Sequence, residues 1–150
     1  MSCFICNKHS GTSNQPPGGY IYEDEHWMVC HFPAEQSVIG QLVIESKRHF
    51  LDFSDMNDEE ARSYGYVVKK LYAALKQITG AERVYSLITI DGVPHFHAHF
   101  IPRMSHSLTK GMTFISQEKS CNENEAVEIA QKLRNMFTSE RDGWGLSRHE

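Results

Sequence analysis

Three histidines, His95, His97 and His99, stand at alternate positions in His95-Phe96-His97-Ala98-His99-Phe100-Ile101-Pro102-Arg103, with apolar residues between them. Successive side chains of a β-strand point to opposite faces. A strand here puts the three imidazoles on one face and turns Phe96, Ala98, Phe100 and Ile101 into the body of the protein. Imidazoles presented in this way have two chemistries open to them. Neutral rings at i and i+2 can bind one metal ion together. Alternatively, one ring acts as nucleophile or general base while its neighbours hold a substrate.

A second constellation is Cys3-Phe4-Ile5-Cys6. Such a pair is either a redox motif or half of a metal site. The redox form opens a helix after a strand, and only Met1 and Ser2 precede Cys3 here, so zinc is favoured. A structural zinc site takes four protein ligands. Cys30 and Cys121 form no second pair, which leaves histidines for the other two. His9, His31, His49, His95 and His106 are the candidates.

These groups need a scaffold, and the rest of the chain supplies its signals. With 150 residues, the chain suits one domain spanning 1–150 and can bury a real core. A formal net charge of -4 gives no basic field for a nucleic acid backbone, so no nucleic acid partner is expected. There is no apolar run of membrane-spanning length and no signal-peptide core near Met1, so a cytoplasmic protein with reduced cysteines and no membrane partner is expected.

Residues 9–19 read as a polar loop rich in Pro and Gly, followed by a hairpin of residues 20–22 and 27–32 closed by Pro33. Residues 41–45 form another strand. The longest helix signal covers residues 57–79. Asn57 and Glu60 have the form of a capping box, and Ala61, Tyr64, Val68, Leu71, Leu75 and Ile78 make an apolar stripe ending at Gly80. Residues 84–90 are strongly β-forming, Asp91-Gly92 makes a turn, and the histidine strand follows. A second helix fits residues 124–137, and the tail through Asp142-Gly143-Trp144-Gly145-Leu146 reads as irregular. The class is α+β, a mostly antiparallel sheet with helices packed on it.

The pattern His-φ-His-φ-His-φ-φ at residues 95–101, φ being apolar, resembles the histidine triad superfamily of nucleotide hydrolases and transferases. Pro102-Arg103 extends the match, and Ile44-Glu45-Ser46-Lys47-Arg48-His49 resembles the strand-to-loop segment of that superfamily; the likeness spans most of residues 3–103. The resemblance implies a five-stranded antiparallel sheet with two helices, paired as a homodimer. It implies attack by His97 on the α-phosphate of a nucleotide, through a covalent nucleotidyl-histidine, with His99 donating to phosphate oxygens. Both residues then bind the nucleotide, and adenylated compounds such as dinucleoside polyphosphates or nucleoside phosphoramidates are the expected substrates. Superfamily branches with an N-terminal CxxC further imply a structural zinc ion held by Cys3, Cys6, His49 and His95.

Two features depart from the pattern. Many members carry Gly-Gln-x-Val and a nearby hydroxyl before the first histidine, where this chain has Ile90-Asp91-Gly92-Val93-Pro94. The acid that grips ribose has no counterpart among His31, Phe32 and Pro33. Two other readings stand beside the leading one. One is a nucleotide-binding regulatory protein with little turnover. The other is a metalloenzyme whose zinc is bound by His95, His97 and His99 themselves.

Overall fold

The computed structural model describes residues 3–147, with side chains through residue 139; the domain span 1–150 therefore reaches beyond the described residues at both ends. The elements in order are α1 (Phe4–Ser10), β1 (Tyr22–Glu23), β2 (Trp27–His31), β3 (Leu42–Ser46), α2 (Asp58–Thr79), β4 (Arg83–Ile88), β5 (His97–Arg103), α3 (Gly111–Ser116) and α4 (Glu123–Ser147). The five strands form one antiparallel sheet in the order β1-β2-β3-β5-β4. The class is α+β, as the sequence implies.

Alternation divides the sheet. Val29, Leu42, Ile44, Ala98 and Phe100 point to one side and are buried under α2 and α4, which contribute Val67, Leu71, Leu75, Ala130, Leu133 and Phe137. Trp27 is also in this core, and its ring N–H donates to Ser63 Oγ on α2 at 2.9 Å. The opposite side carries Val43 and Glu45 of β3 beside His97 and His99 of β5. β3 is buried on both faces because α1 lies over the second one. Ile101 is buried too, but alternation sets it on the histidine side and it is not part of the core cluster.

Local chemistry fixes the long helix. Asn57 Oδ1 accepts from Glu60 N–H at 2.8 Å while Glu60 Oε1 accepts from Asn57 N–H at 2.9 Å, the reciprocal capping box. Gly80 ends the helix in the left-handed region, φ 75°. Gly40, before β3, has φ 86°, and a Cβ there would stand 2.9 Å from Thr79 Cγ2. Only glycine fits this close approach.

Several elements differ from the sequence reading. The residues around the cysteine pair form a helix, with Cys3 as N-cap and its Sγ accepting from Cys6 N–H at 3.5 Å. β4 ends at Ile88 because Thr89 and Asp91 take positive φ (53° and 62°), so residues 89–96 make a wide loop instead of a tight Asp91-Gly92 turn. The segment read as an irregular tail continues α4 to Ser147, through Gly143 and Gly145. Among the described residues, no helix is long and apolar enough to cross a membrane.

Candidate active site and metal centre

β5 begins at His97, so His95 lies just outside it. Its backbone is held by the wide loop, and its ring turns towards α1. The ring Nε2–H donates to Ser46 O at 2.7 Å, which leaves a lone pair on Nδ1. That Nδ1 is 3.3 Å from Cys3 Sγ, 3.5 Å from Cys6 Sγ and 3.1 Å from His49 Nδ1, and Cys6 Sγ is 3.5 Å from His49 Nδ1. All four donor atoms fall within 4.8 Å of one another. A tetrahedral ion with ordinary Zn–S and Zn–N lengths would space its ligands about 3.3–3.8 Å apart, so the spacing suits one bound metal ion.

Each of the four residues has its own support. Helix α1 brings Cys3 and Cys6 together one turn apart. His49 follows Arg48, whose guanidinium donates to both carboxylate oxygens of Glu60, at 3.2 Å to Oε2 and 2.7 Å to Oε1. The helix that carries the core therefore also anchors the His49 turn. Burial, together with the neighbouring His49 and His9 rings, holds His95 below the usual histidine range, and a neutral ring is what a metal ligand requires. Of the other candidates, His9 and His106 stay outside the cluster. His31 is fully buried elsewhere, with Nδ1–H donating to Phe32 O at 2.7 Å and Nε2 accepting from Gly40 N–H at 2.9 Å.

His97 and His99 are outside the cluster as well. The His97 ring Nδ1–H donates to the backbone oxygen of His95 at 2.7 Å, so the free lone pair sits on Nε2. His97 lines a cleft of about 820 Å³, within the range of small-molecule sites. The His99 ring lies between His97 and Phe32, with centroids 5.0 and 5.1 Å away. Burial and the adjacent His97 push its pKa down to about 4, so it is neutral at physiological pH.

Glu45 escaped the sequence reading. It is directly opposite His97 across the β3–β5 ladder and only 2% exposed. Its Oε1 accepts from Tyr20 O–H at 2.8 Å and His9 Nε2–H at 2.9 Å, and its Oε2 accepts from Lys8 Nζ at 2.6 Å. Burial opposes ionisation, but these three donors outweigh it and hold the carboxyl below its usual range. The available signal was an acid in the apolar run Leu42-Val43-Ile44-Glu45, which alternation puts on the histidine face.

The buried histidines give a pH dependence. His31 and His99 both have folded-state pKa values below the unfolded one, through burial in each case. Between those values the unfolded chain binds more protons, so stability rises with pH. The contribution is complete above about pH 6.5 and is lost as pH falls towards 4, with His99 alone worth on the order of 3 kcal/mol. In urea melts with EDTA present to remove metal effects, the midpoint is expected to be lower at pH 5 than at pH 7.5. Equal midpoints would contradict it.

No family model matches the chain. Two curated relatives do: a HIT-like protein of Methanocaldococcus jannaschii, 29% identical over 107 residues (67% of this chain, 78% of that one), and the protein hit of Bacillus subtilis, 26% identical over 110 residues (68% and 71%). Among solved structures, a zinc-bound histidine triad family protein from Mycobacterium smegmatis superposes with TM-score 0.73 at 21% identity, covering 93% of this chain and 98% of that one. With the motif at residues 95–101 and the antiparallel sheet, these likenesses show that the chain has the histidine triad fold and is similar to HIT-like proteins, and its Cys3/Cys6 pair is consistent with a metal site of the kind a zinc-bound neighbour would hold.

Proposed function

We propose that the protein is a nucleotidyl hydrolase or transferase whose nucleophile is His97. The observation that carries this reading is the 2.7 Å hydrogen bond from His97 Nδ1–H to the His95 carbonyl, in a ring that lines the large cleft. It leaves Nε2 as the attacking nitrogen. Nε2 forms a bond to the α-phosphorus, and the bond from phosphorus to the leaving group breaks with its electron pair going to that group. The nucleotidylated ring is cationic, so its Nδ1–H bond to the His95 carbonyl strengthens as charge develops. Water or another acceptor then takes the nucleotidyl group, and the P–N bond breaks to return neutral His97. Neutral His99 retains one N–H for a non-bridging phosphate oxygen.

Cys3, Cys6, His49 and His95 would hold a structural zinc ion, since two thiolates and two imidazoles in a tetrahedral set suit that metal. Bound there, zinc supplies no chemistry to the phosphate and ties α1 and the His49 turn to the residue whose carbonyl orients His97. The reading includes one domain over residues 1–150, a cytoplasmic setting that keeps the four cysteines reduced, and an adenine nucleotide substrate. It also includes a homodimer; β4 is an edge strand, and Ile88 at its end and Ile90 in the loop just beyond it are exposed.

A second reading, nucleotide binding with little turnover, draws on the loop at residues 90–94, which offers no hydroxyl to a leaving group. A panel of diadenosine triphosphate, diadenosine tetraphosphate and adenosine 5′-phosphoramidate separates the two. AMP release dependent on protein concentration supports the enzyme. Tight AMP binding without release across the panel supports the binding module.

A further inference from the structure

The cleft beside His97 is poor in positive charge. Its described lining includes the acids Glu35, Glu45 and Glu123, and Lys8 is the sole lysine or arginine among the described lining residues. A polyanionic substrate entering this cleft meets one fixed cation. Lys8 does not wander, because its ammonium is held 2.6 Å from Glu45 Oε2, and Tyr20 and His9 occupy the other carboxylate oxygen. A second N–H reaches Cys30 Sγ at 3.6 Å. Beyond these two acceptors the ammonium meets only the faces of Phe4 and Tyr20 among the described residues, with ring centroids 5.8 and 5.6 Å from Nζ, contacts that a phosphate oxygen can replace.

The ammonium is also linked to the histidine strand through Glu45. Glu45 and His97 are direct cross-strand partners, so their side chains rise next to each other on one face, about 5 Å apart at Cβ. Lys8 is thus one side chain removed from His97. In-line attack sets the leaving oxygen on the far side of the α-phosphorus, with the next phosphate, if there is one, several ångströms from His97. A lysine reaching in from α1 over Glu45 can meet it there.

We propose that Lys8 is a specificity-determining residue, binding the charged leaving-group phosphate so that the site selects nucleoside polyphosphates over nucleotides with an uncharged leaving group. The proposal rests on the reading of His97 as nucleophile. Glu45 is a positioning residue: it fixes the ammonium without touching the substrate.

The test compares kcat/KM for diadenosine triphosphate and for adenosine 5′-phosphoramidate in wild type and Lys8→Met. Loss of one charge-assisted contact is expected to lower the triphosphate-to-phosphoramidate ratio by about 10- to 100-fold. Lys8→Arg is expected to recover most of that ratio. If Lys8 only supports the fold, both substrates fall together, the ratio stays put, and the proposal is overturned. Because Lys8→Met strands a buried carboxylate, the double variant Lys8→Met/Glu45→Gln carries the same comparison with both charges removed. Binding to the wild-type protein gives an independent answer, with ADP expected to bind at least about tenfold more tightly than AMP. Equal affinities would overturn the proposal. Absence of turnover on either substrate would instead sink the enzymatic reading, while the ADP-to-AMP comparison would still decide the role of Lys8.

Discussion

Changing His97 to alanine is expected to lower kcat/KM for nucleotidyl transfer by at least about a thousandfold, the scale of losing a covalent nucleophile. The thermal midpoint should stay close to wild type. The ring is half-buried, faces the cleft and is outside the core cluster. The substitution removes a single 2.7 Å hydrogen bond, to the His95 carbonyl, and no packing of the core. Steady-state kinetics with a thermal melt on the same sample checks both halves. Activity within a few-fold of wild type would remove His97 from the chemistry.

The second large effect concerns the four-residue cluster. Purified protein is expected to hold one zinc ion per chain, and Cys3→Ser to lose it. A structural ion present at about a thousandfold over its dissociation constant adds about 4 kcal/mol of stability. For a chain of this length, that corresponds to a fall in Tm of roughly 8–16 °C on chelation. The core under α2 and α4 does not depend on the ion, so the apo protein should remain folded at room temperature. The cleft should loosen even so, because Cys3 and Cys6 pin the helix that carries Phe4, Ile5 and Lys8 along its wall. Metal analysis and melts before and after EDTA read out both effects. Zinc retained in Cys3→Ser but lost in His97→Ala would point to a metal on the triad itself.

The triad face was legible because a strand has a period of two, and α2 was legible because its stripe and its capping box agree. The cluster of Cys3, Cys6, His49 and His95 was reached through a likeness, and the geometry brings those four together. What the sequence concealed was long-range or locally unusual. Residues 89–96 leave the strand geometry because Thr89 and Asp91 adopt positive φ, which turns His95 away from β5. Helix α1 has only 7 residues, too few to show a periodic signal. The Glu45 network joins residues 8, 9, 20 and 45, whose proximity arises only when α1 folds onto the sheet. Gly143 and Gly145 suggested a break in the tail, yet α4 runs through them.

The central claim is a covalent nucleotidyl-histidine, and trapping it is the most direct test. The protein is mixed with a substrate radiolabelled at the α-phosphate and quenched in alkaline denaturant within the first turnover. The account predicts label on the chain that survives base, is released by acid, and maps to the peptide containing His97. Product formed with no label on the protein at any time, or label on a different residue, would contradict it.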